Sequence, residues 1–282
     1  MAWTDITDLT GLVAWYKPET LAASYANGDP IDTWADSSGN SRDISNTATA
    51  RPLAMENAFG SYMGADFDGS NDYLISGSYT QNGQLIVSVV IRFDNFKNHQ
   101  IAATVGSQSP PVWNTIGNNT WADCTGWATG RISAWSFIGT AFSEAETQSS
   151  SPNGYTSGVD YVLSYASNTY GDFVRTNGYQ NDLVDLTLAT SHPASGSAYV
   201  SLGHNGLSFL NGKVAEVIIY NNSSSYSADL IWVEGYLANK YAITLADGHL
   251  FKNAAPENAP TTYNATGGAT GSSRLVNGGL VD

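Results

Sequence analysis

Two glutamates stand two residues apart at Glu144-Ala-Glu146. Paired carboxylates are what acid–base cleavage of a glycosidic bond needs, provided both project from one surface at a set separation. Here they fall in a Ser/Thr-rich stretch that reads as a solvated loop edge, which argues against a hydrolase. His99, His192, His204 and His249 supply imidazoles, but no two have the three- or four-residue separation of ligands on a helix, so surface or strand-end positions are expected. A Ser-His-Asp triad depends on proximity in space, which chain order neither shows nor excludes.

Hard oxygen ligands occur in two clusters. Asp36, Asn40 and Asp43 share one loop, and Asp66, Asp68, Asn71 and Asp72 share another, which makes calcium the one ion worth considering. The same residue types are the default turn formers because their side chains cap their own backbones, so structural turns are the preferred reading, with calcium at Asp36, Asn40 and Asp43 as the alternative. The second cluster lacks the sixth-position Gly and the terminal Glu of an EF-hand loop. No other cofactor is implied.

Tryptophans are concentrated at Trp113, Trp121, Trp127 and Trp135, a stretch that also holds Asn118, Asn119 and Asp123 and has Arg131 as its one basic residue. Sugar rings stack their apolar faces on indoles while Asn and Asp take the hydroxyls, so Trp113, Asn118, Asn119, Trp121, Asp123 and Trp127 are the candidate glycan-binding set, read as a loop. Packing is the alternative for the same rings. Trp15, Trp34 and Trp135 sit in strand-like runs and are expected in the core.

Strands must carry these groups. Alternating apolar and polar runs separated by Gly, Asn and Ser recur at 11–16, 73–76, 85–93, 100–105, 131–138, 159–166, 171–176, 183–188, 198–203 and 213–220, the pattern of a two-sheet sandwich. Leu85–Phe93 is apolar on both faces at its start, as a central strand covered on two sides would be. Gly-containing turns beside strands at 67–74 and 211–220 suggest hairpin edges. A helix is expected over 227–242, with Leu230, Val233, Leu237 and Tyr241 on one stripe, Asp229 in its first turn and Lys240 in its last. Residues 252–282 are too polar to form a core, yet Leu275, Val276, Leu280 and Val281 make the end apolar, which suits an arm that docks on a neighbour.

Asp and Glu number 25 against 11 Lys and Arg, a formal net charge of −14, which makes nucleic acid a poor partner. Cys124 is the single cysteine, so neither an internal disulfide nor a thiolate zinc site is expected. The first residues show no basic and apolar leader, no run has the length to enter a bilayer, and folding in a cytoplasm is the simplest expectation.

Trp34-Ala-Asp36-Ser-Ser-Gly39-Asn40 followed by Phe67-Asp68-Gly69-Ser-Asn71-Asp72-Tyr73-Leu74 resembles the opening of concanavalin A-like lectin/glucanase domains of the laminin G-like kind. Leu202-Gly203 and Phe209 to Tyr220 resemble the strand pair that closes such a domain, and Tyr236 to Tyr241 the short helix that often follows. The resemblance covers about residues 8–245. It implies an all-β, two-sheet antiparallel jelly-roll sandwich (concanavalin A-like), here residues 1–251 with one short C-terminal helix, followed by an extended C-terminal arm at 252–282. Such domains serve as binding or adhesion modules of enzymes, cell-surface proteins and phage structural proteins, and some bind calcium at the sheet rim. The family's hydrolases carry Glu, Asp and Glu at alternating positions of one strand, and Glu144-Ala-Glu146 lacks the third acid.

The expectation is therefore a non-enzymatic protein of the virion surface, a capsid-decorating, head-fibre or tail-associated adhesin folded in the host cytoplasm. Residues 252–282 would join it to other virion proteins or to copies of itself, and host surface polysaccharide would be its weak, multivalent ligand. A structural cement protein without sugar binding and a polysaccharide-degrading enzyme are the alternatives.

Overall fold

The computed structural model describes residues 5–9, 11–47, 49–81, 85–95, 100–108, 111–118, 132–138, 141–146, 156–168, 171–180, 196–204, 208–221, 226–253, 274–276 and 279–281. In chain order the strands are β1 (Leu12–Tyr16), β2 (Thr33–Trp34), β3 (Ile44–Ser45), β4 (Leu53–Phe59), β5 (Tyr62–Asp68), β6 (Leu74–Ser76), β7 (Tyr79–Gln81), β8 (Leu85–Phe93) and β9 (Gln100–Gln108). They continue as β10 (Pro111–Asn118), β11 (Ile132–Ile138), β12 (Ala141–Glu146), β13 (Asp160–Asn168), β14 (Gly171–Thr176), β15 (Tyr179–Gln180), β16 (Gly196–Leu202) and β17 (Asn211–Tyr220). A short hairpin, β18 (Arg274–Val276) and β19 (Gly279–Val281), lies near the C-terminus; helix α1 (Pro18–Ala22) follows β1, and α2 (Tyr226–Lys240) follows β17.

Every strand pairing is antiparallel. The first sheet has eight strands in the order β15-β14-β13-β8-β17-β5-β4, with β1 continuing the β5 side of β17; the second has nine, β12-β11-β10-β9-β16-β6-β3-β2, with β7 beside β16. Val87, Val89 and Ile91 of β8, Leu163 and Tyr165 of β13, and Val217 and Ile219 of β17 face Ala103, Val105, Val200 and Leu202 of the second sheet in one buried layer. The alternate residues Ile86, Val90, Val162, Ile218 and Tyr220 point the other way and are covered by Leu230, Val233, Leu237 and Tyr241 of α2. Strand β8 is thus buried on both faces, as its composition required. Of the two polar residues on its helix-side face, Ser88 is satisfied by Ser164 at 3.0 Å and Arg92 by Asp160 at 2.6 Å.

Two local readings change. The turn after Phe67 is not a hairpin: β5 belongs to the first sheet and β6 to the second, so Gly69 (φ 78°) to Asp72 carries the chain across the sandwich. The two marker segments instead pair with each other, Phe67 opposite Gly212 and Asp68 opposite Asn211. A Cβ on Gly212 would lie 2.3 Å from the Arg92 carbonyl oxygen, so glycine is required there. The hairpin β4–β5 lies outside the strands expected from the sequence, because Leu-Ala-Met-Glu-Asn-Ala-Phe of β4 has helix-forming composition that edge pairing overrides. The strand expected at 183–188 and Cys124 lie outside the described residues.

Candidate functional site

Strands β10, β11 and β12 form one end of the second sheet, and their register decides which residues share a face. Val105 and Ala103, which face the core, pair with Asn114 and Ile116, so the other parity of β10, Trp113, Thr115 and Gly117, lies on the face turned away from the first sheet. Trp113 pairs with Phe137 and then Phe142; Thr115 pairs with Trp135 and then Glu144; Gly117 pairs with Ser133 and then Glu146. In the other direction Gly106 is opposite both Trp113 and Tyr199, and Thr104 is opposite both Thr115 and Ser201. One row across five strands therefore reads Tyr199, Gly106, Trp113, Phe137, Phe142. The row beside it reads Ser201, Thr104, Thr115, Trp135, Glu144.

Thr104 and Ser201 are both 1% exposed although they stand on the face away from the core. They are therefore covered, and the Ser201 hydroxyl donates to the His204 carbonyl oxygen at 3.0 Å. Aromatic residues in one row of register positions have the composition of a sugar-binding face, since indole and phenyl rings stack on sugar ring faces.

This arrangement regroups the expected residues. Trp113 is on the face, while Asn118, five residues on, falls on the opposite side of β10; Asn119, Trp121, Asp123 and Trp127 lie outside the described residues, in the connection from β10 to β11. Trp135, expected in the core, has the parity of Trp113 instead. Glu144 and Glu146 belong to strand β12 and not to a loop. Trp34 and Trp15 are buried as expected, the first between the sheets and the second beneath α2. Sequence reasoning missed Phe137, Phe142 and Tyr199, although Trp135-x-Phe137 and Phe142-x-Glu144 carry the two-residue period that marks a strand face.

The loop of Asp36, Asn40 and Asp43 is organised from within. Asp36 Oδ1 accepts from the Trp15 and Ser38 backbone N–H groups at 3.0 and 2.8 Å, and Oδ2 accepts from the Ser38 hydroxyl at 2.7 Å and the Arg42 N–H at 3.0 Å. Four donors occupy the sites a carboxylate offers. Asp43 Oδ1 accepts from Asp36 N–H at 2.8 Å, and Asn40 Nδ2 donates to Leu12 O at 2.8 Å. N–H donors on these oxygens do not suit a cation, and no group of three or more His, Cys, Asp or Glu placed for a metal occurs among the described residues. Asp68 and Asp72 likewise cap their own turn, Asp68 Oδ1 accepting from Ser70 N–H at 2.7 Å and Asp72 Oδ2 from Asp68 N–H at 2.9 Å. Burial raises the Asp72 pKa.

Two buried ionic clusters hold α2 to the first sheet. Glu216 accepts from Trp15 Nε1 (2.7 Å), Tyr236 Oη (3.0 Å), Tyr241 Oη (2.8 Å) and Lys240 Nζ (2.7 Å). Burial, then the Glu216 charge, pushes both tyrosines well above the usual phenol range, which keeps them donors. In the second cluster Arg175 Nε donates to Glu234 Oε1 at 2.8 Å and His249 Nε2 lies 3.2 Å from Glu234 Oε2, with all three side chains fully buried. Phe251 N–H lies 3.2 Å from His249 Nδ1, which turns Nε2 toward Glu234. His249 is thus not at the surface, because it completes this cluster. His204 is half-buried between the rings of Tyr73 and Phe209, and burial lowers its pKa. His99 and His192 lie outside the described residues.

The layered architecture is that of the concanavalin-like jelly-roll β-sandwiches. The binding domain of Paraclostridial Mosquitocidal Protein 1 is similar at a TM-score of 0.55 and 13% identity, over 83% of this chain and 54% of that one. Domain 4 of AbnA, a GH43 extracellular arabinanase from Geobacillus stearothermophilus solved in complex with arabinotriose, matches at 0.52 and 16%, over 75% of this chain and 93% of that one. The ligand binding domain of botulinum neurotoxin serotype D, in complex with N-acetylneuraminic acid, matches at 0.51 and 14%, over 79% and 50%. At these identities the likeness is one of fold. No family model matches the chain, and no curated protein does. Among the described residues no helix is long and apolar enough to cross a membrane.

Proposed function

We propose that this protein is a non-enzymatic carbohydrate-binding β-sandwich that takes polysaccharide on the outer face of its second sheet. The observation that carries the reading is the register that places Trp113, Phe137, Phe142 and Tyr199 in one row beside the row of Thr104, Ser201 and Trp135. Sandwiches of this architecture complexed with arabinotriose and with N-acetylneuraminic acid support it by analogy. We place the protein on a virion surface, where many copies would engage host polysaccharide weakly, with residues 252–282 attaching it to other virion proteins or to itself.

The test is binding to a glycan array and to cell-surface polysaccharide by the wild type and by Trp113→Ala and Trp135→Ala. Each substitution is expected to abolish binding while shifting the melting temperature by only a few degrees. A large drop in melting temperature would assign these rings to packing instead.

Glu144 and Glu146 favour one second reading. Alternate positions on β12 put them on one face of the strand, and paired carboxylates on one surface are what a glycosidase needs. Turnover of a polysaccharide by the purified protein, lost in Glu144→Gln, would replace the binding reading with the enzymatic one.

A further inference from the structure

The ammonium of Lys240 is held as a bound ligand would be. Its Nζ lies over three tyrosine rings, 5.2 Å from the centroid of Tyr62, 5.7 Å from that of Tyr236 and 5.5 Å from that of Tyr241. It donates to Glu216 Oε2 at 2.7 Å and to Tyr236 Oη at 3.4 Å, and it stands 2.9 Å from Glu19 Oε1. The three N–H donors of an ammonium thus meet three acceptors inside a wall of rings, the construction of sites that take organic ammonium ions. Glu19 comes from α1, Tyr62 from β5, Glu216 from β17, and Tyr236 and Tyr241 from the end of α2 and the residue after it, so the cage is a product of the tertiary fold.

The charge of the cage does not depend on Lys240. The Glu216 side chain is fully buried, and its other hydrogen-bond donors among the described residues, Trp15 Nε1, Tyr236 Oη and Tyr241 Oη, are neutral. With the Lys240 ammonium gone, a buried carboxylate would face an aromatic-walled gap of ammonium size. Hard metal cations call for a shell of oxygens, which ring faces do not supply. A quaternary ammonium has no N–H to give the carboxylates. A primary alkylammonium can repeat the bonds of Lys240, with its hydrocarbon tail along the course of the lysine stem. Tyr62 and Tyr236 are half-buried and the Glu19 side chain is 50% exposed, so the cage meets solvent on that side.

Independently of the carbohydrate reading, we infer that this cage is a binding site for small primary alkylammonium ions, and that Lys240 is the plug with which the chain closes it.

Thermal unfolding of the full chain in n-butylammonium, tetramethylammonium and sodium chloride at equal ionic strength tests this, with the wild type beside Lys240→Ala. The variant should melt several degrees lower and regain part of the loss saturably in butylammonium, less in tetramethylammonium, and not in sodium chloride. The wild type should need at least roughly tenfold more amine for any such gain, because an entering ion competes with a tethered one. Should Lys240→Ala fail to fold in plain buffer, refolding yield in the same three salts is the readout. No gain over sodium chloride by either measure, or equal responses of variant and wild type, overturns the inference. Adding Glu216→Gln to Lys240→Ala should abolish the gain, and a gain that survives this change removes the assignment to the cage.

Discussion

Arg175, Glu234 and His249 sit where β14, α2 and the chain beyond it meet, out of contact with water. Burial alone would raise the Glu234 pKa, but the Arg175 charge and the His249 hydrogen bond outweigh it and bring it down to about 2. Removing one partner leaves the other charged and uncompensated, so Arg175→Met is expected to cost about 3–5 kcal/mol in urea unfolding. Replacing Arg175 and Glu234 together by apolar residues should recover part of that loss, because no buried charge then remains. The pH dependence has a definite sign. A carboxylate depressed in the folded state stabilises fully above its unfolded value near 4.5, and that contribution fades as pH falls through 4.5 toward 2. Denaturation series from pH 7 to pH 2.5 should show this slope in the wild type and a shallower one in Glu234→Gln. None of the cluster was legible in the sequence, since Arg175, Glu234 and His249 are far apart in the chain and have no motif spacing.

Helix α2 shows how an element's context reverses a general rule. Glycine in a helix interior usually costs about 0.5–1 kcal/mol relative to alanine, so Gly235→Ala would ordinarily stabilise. Here a Cβ on Gly235 would fall 2.5 Å from Phe251 Cδ2 and 2.7 Å from its Cβ, which packs the chain after the helix against it. Gly235→Ala should therefore lower the melting temperature, and Phe251→Leu in the same chain should restore part of the loss. The stripe of Leu230, Val233, Leu237 and Tyr241 was readable because its three- and four-residue period is local. Strands β8 and β17 were readable for the same kind of reason. Strand β4 was not, because an edge strand with helix-forming residues owes its conformation to β5, and Asn57 in the left-handed region (φ 53°) lies where the pairing register slips.

At the scale of the whole molecule, the sandwich and the C-terminal arm make separable predictions. Truncation after residue 253 should leave a folded sandwich whose melting temperature stays within a few degrees of the full chain's and, on the proposed virion role, should abolish incorporation into a particle; a chain that no longer folds would make residues 254–282 part of the core. The proposed binding face belongs to this scale too, because it would be assembled from β9, β10, β11, β12 and β16, which are drawn from residues 100–202. The amino-acid order alone determined the all-β class, the doubly buried central strand and the helix, since each rests on a period or composition within one short segment. It also marked Trp113 as an aromatic of interest. Only the tertiary structure decided that Trp113 and Trp135 share a face with Tyr199, that Asn118 does not, that the Asp36 oxygens are filled by N–H and O–H donors, and that His249 is buried. Cross-strand register is a relation between distant segments, and a shift of one residue would send every one of those side chains to the other face.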